Sequence, residues 1–325
     1  MSSQPLPAPA PAAPAPPAKG RRFGLRARPS SLSGFLFVLP ALVVLVIFLI
    51  YPAYYTTRLA FYEGDFHFGF FHYLGIDNFK ELLTNDKDFL DLSKFPPGGA
   101  LINNLRWLIF YISLSLLIGL GLAVLAVRVR YERFVKTAIF LPMAISAVAV
   151  GIIWLLVYSP NPDIGILNSL LRGGGLHTQS WLGNPSLVNY ALIFAYIWAS
   201  VGFVMVVLSA AIKGLPADVL EAARVDGANE WQIFRRIMFP LLSLPISVVT
   251  IWLFINVIKV FDIIYVMTGG GPGTSSRVIA FTMYEETFQN GRPGYGAAVA
   301  VIMLVLIAPV MILNVRRFRS EKVVA

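Results

Sequence analysis

Binding a phosphate, holding a metal or attacking a bond needs particular side chains at particular spacings, and this 325-residue chain offers few of them. The run Gly269-Gly270-Gly271 is followed by Pro272, Gly273 and Thr274, without a Lys. A phosphate cradle needs G-x-x-x-x-G-K-[ST], whose Lys reaches the phosphates, so any nucleotide the chain depends on is held elsewhere. Cysteine is absent, which removes disulfides, thiolate metal sites and a Cys nucleophile. His67, His72 and His177 have neither HExxH nor His-x-His spacing and read as solvated loop residues. No convergent set of His, Asp or Ser marks a membrane-embedded enzyme, so no catalytic, cofactor or metal residue is assigned.

What remains are polar and aromatic residues inside apolar blocks. Such residues are costly in hydrocarbon and tend to face a cavity. Tyr196, Ser200 and Phe203 recur at i, i+4, i+7, and Trp252, Asn256 and Lys259 recur at the same spacing on another block. Aromatic faces beside hydroxyl and amide groups suit a sugar ring; Ser and Asn also serve as glue between packed helices. Lys259 and Asp262, three apart, are placed to form an ion pair near the end of their block.

The blocks themselves set the class. The chain is 57% hydrophobic and 13% charged, against roughly 45–50% and 25% in soluble domains. A net charge of +9 raises the possibility of nucleic acid, but the Lys and Arg residues gather just outside apolar blocks, the pattern of membrane topology. Residues 4–18 are almost wholly Pro and Ala and read, with the basic run that follows, as a disordered tail over 1–32. Six blocks, at about 33–55, 101–127, 137–158, 188–212, 241–267 and 295–315, are long enough to cross ~30 Å of hydrocarbon. The first exceeds a signal-peptide core and lacks a cleavage site, so it reads as a retained helix. Lipid cannot satisfy an exposed backbone, so each block must be helical. Alternating barrel-type patterning is absent.

Orientation follows from the cations. With the N-terminus inside, the cytoplasmic segments hold Lys19, Arg21, Arg22, Arg26 and Arg28, then Arg128, Arg130, Arg133 and Lys136. They also hold Lys213, Arg224, Arg235 and Arg236, and finally Arg316, Arg317, Arg319 and Lys322. The outer segment 56–100 is mixed and acidic. Both termini are thus expected in the cytoplasm, with 320–325 as a short tail.

One inner loop is unlike the others. Residues 213–240, KGLPADVLEAARVDGANEWQIFRRIMFP, are too polar to span and too long for a turn. Pro216 suits a first helical position, with Asp218 and Glu221 near that helix's positive end. Gly227 can take the left-handed conformation that stops the helix. Asn229 with Gln232 forms a capping box for a second helix, Arg235 and Arg236 fall near its negative end, and Pro240 closes it. Val219, Leu220, Ala222 and Ala223 leave a compact surface able to enter a groove on a partner. An amphipathic loop lying on the membrane fits the same residues.

The spacing Glu221-Ala222-Ala223, three residues, Gly227, nine residues, Ile237, one residue, Phe239-Pro240 resembles the EAA loop of ABC importer permeases, EAA-x3-G-x9-I-x-LP. Only Phe239 departs, where Leu is usual. The stretch Phe261-Asp262-Ile263-Ile264-Tyr265-Val266-Met267-Thr268-Gly269-Gly270-Gly271-Pro272 resembles a segment of the first membrane subunit of maltose-type and glycerol-phosphate-type importers. The large outer domain of some maltose subunits is missing here. The likeness spans roughly residues 33–319.

That resemblance implies an all-α integral membrane fold of about six transmembrane helices with a cytoplasmic helix–Gly–helix coupling loop. It assigns coupling to Glu221, Ala222, Ala223, Asp226, Gly227, Ile237 and Pro240, and places sugar contacts near Tyr196, Ser200, Phe203 and Asn256. It further implies a permease in a bacterial or archaeal inner membrane importing a sugar or oligosaccharide by alternating access. Its partners are a second permease, an ATPase dimer that binds the ATP and Mg, an extracytoplasmic solute-binding protein and membrane lipid, with no nucleic acid. Glycerol phosphate or a polyol is the alternative cargo, Lys259 being the one cation available for a phosphate. A secondary transporter would want embedded carboxylate relays, and the spans hold very few acids.

Overall fold

The computed structural model describes residues 31–65, 69–93 and 95–321. The Pro/Ala tract, the basic run from 19 to 28, His67 and Lys322 lie outside them. The first helix, α1 (residues 31–59), contains a π turn at Val46–Ile50. Within Phe35–Leu59 its most apolar 18-residue window has a mean hydropathy of 2.8.

A second compact unit begins at Ala53. A hairpin of β1 (Tyr62–Asp65) and β2 (Gly69–Tyr73) precedes α2 (residues 77–85). Then come α3 (Ala100–Arg128), α4 (Glu132–Ala144), α5 (Ala147–Val157) and the short α6 (Ile166–Gly173). Next are α7 (Val188–Lys213), α8 (Ala217–Val225), α9 (Glu230–Leu241) and α10 (Ser243–Ile258). The chain closes with α11 (Asp262–Met267), α12 (residues 279–289) and α13 (Pro293–Glu321).

Four helices are individually long and apolar enough to cross a membrane: α1, α3, α7 and the Pro293–Leu313 part of α13. Two further spans are bent pairs, α4 with α5 at 100° and α9 with α10 at 67°. The block 137–158 is therefore not one straight helix. Pro142 sits in a tight 3-10 turn over Leu141–Ala144, Ile145 is extended, and Ser146 restarts the chain by capping the Ala149 amide at 3.3 Å. The block 241–267 is likewise broken, because α10 ends at Ile258 and α11 begins at Asp262. Lys259 thus lies past the end of its helix, exposed, and the shared face proposed with Trp252 and Asn256 stops at Asn256. No ion pair joins Lys259 to Asp262 among the described residues.

The core forms where α3 and α7 run against each other, around Trp107, Tyr111, Leu192, Val204, Met205 and Leu208. Without a hydrophobic drive between helices in lipid, close approach depends on small residues. Gly119 of α3 meets Val204, whose Cβ would stand 2.7 Å from an added methyl. Gly202 of α7 meets the α4 backbone, where an added Cβ would run into the Ile139 carbonyl and lie 2.7 Å from the Phe140 Cα. The bend after Phe140 is thus seated directly on α7.

At the opposite end from α8, polar ties hold residues 77–91 over α12 and α13. Arg292 pairs with Glu81 at 2.8 Å, Tyr295 donates to Asp86 at 2.6 Å, and Arg277 pairs with Glu285 at 2.9 Å and Asp88 at 3.5 Å.

Candidate functional site

The elbow at 213–241 is built by short-range rules. Pro216 occupies the cap position, one residue before the helix, and α8 begins at Ala217. At its other end Gly227 takes φ +81°. The Ala228 amide bonds the Ala223 carbonyl at 3.0 Å and the Gly227 amide bonds Arg224 at 3.1 Å, the paired 6→1 and 5→2 bonds of a Schellman stop. Asn229 and Gln232 complete the reciprocal capping box, each bond 2.9 Å.

Arg235 and Arg236 are not at the end of the second helix. They lie on a π turn, Phe234–Met238, and the helix continues to Leu241 with Pro240 in its last turn. Ala223 faces inward and is buried, whereas Glu221, Ala222, Asp226 and Gly227 are exposed and Ile237 is half-buried. Val219 and Val225 are also exposed, Val225 to 88%. The free face of α8 is therefore partly apolar, with the longer side chains of Glu221 and Arg224 also exposed on it.

The elbow is tied to the bundle by charge. Glu230 takes Arg128, the last residue of α3, at 2.6 Å and Arg224 at 3.2 Å. Glu132 at the start of α4 takes Lys136 and Lys213, the end of α7, both at 2.6 Å.

A crevice of about 170 Å³ opens at the bend between α4 and α5. Pro142, Met143, Ile145, Ala147 and Val150 form one wall, Tyr196, Ala199 and Ser200 of α7 another, and Trp252 and Ile263 close it. Ser200 Oγ accepts from the Tyr111 hydroxyl at 3.0 Å and donates to the Tyr196 carbonyl at 2.8 Å. The Tyr196 ring lies 5.0 Å from Tyr111 and 5.6 Å from Trp107. Tyr196 and Ser200 are thus brought together on the crevice. Phe203 reaches it only through Trp252, its ring 4.2 Å away. The Asn256 amide donates to the Trp252 carbonyl at 2.8 Å, so it serves its own helix, and Lys259 is not on the lining.

Reading α7 and α10 alone missed the contribution of α3. Asn103, Trp107, Tyr111 and Ser115 recur every four residues in one apolar block, and all four are buried. That stripe was visible in the sequence and marks the face α3 turns to α7, where Tyr111 bonds Ser200 on the crevice wall.

The glycine segment 268–276 is pinned rather than free. Gly269, Gly270 and Gly273 all take positive φ, and Ser276 donates to the Gly271 carbonyl at 2.6 Å. Asn103 donates to the carbonyls of Ser275 at 2.9 Å and Arg277 at 2.8 Å, and Asn189 donates to Ser275 at 2.7 Å. Asn104 bridges the Val257 carbonyl and the Ile279 amide, at 3.1 and 2.8 Å.

Hydrophobic spans carrying a rigid polar elbow at one end and a strapped glycine loop at the other define a polytopic membrane permease. The chain belongs to the family described as the binding-protein-dependent transport system inner membrane component, which matches residues 115–318. It is similar to the osmoprotective compounds uptake permease GgtC of Synechocystis sp., 44% identical over 291 residues covering 88% of this chain and 99% of that one. It is also similar to the alpha-glucoside transport system permease AglF of Rhizobium meliloti, 36% identical with 94% and 89% covered. Among solved structures it resembles a chain of a bacterial alginate ABC transporter in complex with an alginate pentasaccharide-bound periplasmic protein. That likeness has a TM-score of 0.70 at 25% identity, covering 86% of this chain and 92% of that one. The chain is a multi-pass permease subunit of an ABC-type importer.

Proposed function

We propose that the permease passes a neutral, sugar-like solute through the crevice at the α4–α5 bend by alternating access, driven by ATP that a separate subunit pair hydrolyses. The observation that carries the reading is the crevice lining, where Tyr196 and Trp252 rings stand beside the Ser200 hydroxyl and no charged side chain is present. Aromatic faces and a few polar groups bind sugar rings, whereas a phosphate calls for Arg or Lys. Lys259 is off the lining, which disfavours glycerol phosphate. The relatives named for alpha-glucosides and alginate support a carbohydrate cargo, but alginate is an acidic polysaccharide, so the case for a neutral one rests on the crevice lining.

Coupling is assigned to Glu221, Ala222, Ala223, Asp226, Gly227, Ile237 and Pro240. The exposed face of α8, where Val219, Ala222 and Val225 leave an apolar surface, enters a cleft on the ATPase. The Schellman stop and capping box keep the elbow stiff, so that movement of the ATPase reaches α7 and α10. A second permease completes the pore, a solute-binding protein delivers from outside, and both termini lie in the cytoplasm. An effector shifts such an equilibrium only through different contacts in the two states; the elbow and the crevice provide two separate sets.

The test is to purify the tagged chain with its partners and measure ATP hydrolysis with the binding protein across neutral sugars, polyols and sugar phosphates. Co-purification of an ATPase stimulated by a neutral sugar or glycoside is the expected result. Stimulation confined to phosphorylated solutes would sink the neutral-cargo reading.

A further inference from the structure

A second and larger cavity, about 480 Å³, lies at the end of the bundle opposite the elbow. It shares no lining residue with the crevice; Asn189 on its wall precedes Tyr196 by about 10 Å along α7 at ~1.5 Å per residue. Its size falls within the roughly 300–1,000 Å³ of small-molecule sites. The first turns of α3 and α7 meet there with the strapped glycine segment, through Asn103, Arg106, Asn189, Tyr190, Thr274 and Ser275.

The electrostatics of the cavity are one-sided. Arg106 is half-buried, and its guanidinium donates to Asn103 Oδ1 at 3.0 Å and the Pro97 carbonyl at 2.7 Å. Both acceptors are neutral. Among the described residues no carboxylate pairs with it, and none lines the cavity. The positive N-terminal ends of two long helices point the same way. A partly desolvated cation without a counter-charge is costly. The guanidinium is also held still, because Asn103 and Asn189 are anchored to the Ser275 carbonyl. A fixed fork with free N–H groups matches the two oxygens of a carboxylate.

We infer that this cavity is a carboxylate-binding site, with Arg106 as the residue that pairs the guest. The carboxylate comes either from an acidic solute entering the vestibule or from an acidic side chain on a protein docked over it. The second source rests on the importer reading; the first does not.

The experiment uses the assembled transporter in nanodiscs of neutral lipid, with D-glucuronate as probe and D-glucose as its uncharged match, followed by saturation-transfer NMR. Glucuronate is expected to bind, and Arg106→Gln to weaken it by about tenfold or more, the size of a charge-assisted bond, with glucose unaffected. Thr274→Glu sets a carboxylate at the rim without touching the bonds of Arg106. It should weaken glucuronate similarly, which keeps the test decisive if Arg106→Gln fails to assemble. If glucuronate does not bind while both substitutions weaken docking of the solute-binding protein by about tenfold, the guest is a protein carboxylate. If glucuronate and the binding protein both bind the variants as they bind the wild type, the site is refuted. Loss of ATPase stimulation by neutral sugars with glucuronate binding intact would instead count against the proposed cargo alone.

Discussion

Two glycines separate two reasons for being glycine. Gly227 has φ +81° with nothing within 4 Å of an added Cβ, so its requirement is conformational. A left-handed L-residue costs about 1–2 kcal/mol, and Asn tolerates the region best. Gly227→Ala should assemble normally but lower uptake per ATP hydrolysed, and Gly227→Asn should recover most of it; equal uptake by all three would remove the elbow from the coupling path. Gly202 has room for no methyl because the α4 backbone occupies the space. Gly202→Ala should therefore cost about 1–3 kcal/mol of packing, seen as a lower melting temperature in detergent. The Tyr111–Ser200 bond makes a third residue-level test. Ser200→Ala leaves a buried hydroxyl without its acceptor, at about 1–3 kcal/mol, whereas adding Tyr111→Phe removes the orphan. The double variant should melt higher than Ser200→Ala alone.

Among the elements, those governed by local chemistry were legible in the sequence and those governed by distant contacts were not. The stop at Gly227 and the box at Asn229–Gln232 depend on neighbours within one turn, and both stand where the residues imply. The apolar lengths of α3 and α7 are equally plain. The break at Leu141–Ser146 was hidden because hydropathy runs through it unbroken and membrane helices tolerate Pro. Half of the candidate site went with it, since that bend is one wall of the crevice. The face linking Trp252 to Lys259 assumed a helix that ends at Ile258. The glycine strap was unreadable for a different reason: Asn103 bonds a carbonyl 172 residues away, and nothing in a single sequence joins the two. Among the polar ties at the opposite end from α8, burial lifts the Glu285 carboxyl above its ordinary value. Arg277 pulls the other way, while Glu286, Asp88 and Asp86 add to the rise. The folded chain therefore holds this proton more tightly than the unfolded one. Its contribution to stability is full below about pH 4 and fades as pH rises through the raised value. Glu285→Gln should remove that loss, so its melting temperature should fall less than the wild type's across the window just above pH 4.

For the whole molecule, the proposed coupling requires that movement at the elbow reach a crevice in mid-bundle. The covalent route runs through α7 and α10, which flank the loop. The ion pairs add a second route through α3, because Glu230 grips Arg128 at its end. From Arg128 back to Tyr111 is about 26 Å at ~1.5 Å per residue, and Tyr111 bonds Ser200 on the crevice wall. A stiff rod joined at its end to the elbow and through Tyr111 to the candidate site would transmit displacement without unfolding. The Glu132–Lys213 pair likewise locks α7 to the start of α4, the helix whose far end bends around the same crevice. The Arg128–Glu230 tie is exposed on both sides and the Glu132–Lys213 tie on its Lys213 side, so each is weak and screened by salt. Breaking them should leave assembly intact and loosen transmission only. Glu230→Gln is expected to lower solute moved per ATP by up to about fivefold, at the low end of measured coupling between sites. High ionic strength should reproduce part of that loss in the wild type and little further loss in the variant. Exchanging the charges, Arg128→Glu with Glu230→Arg, should recover coupling, although Arg224 then faces a like charge and keeps the recovery incomplete. A variant that transports as well per ATP as the wild type at low salt would leave α3 a passive strut, with the whole stroke carried by α7 and α10.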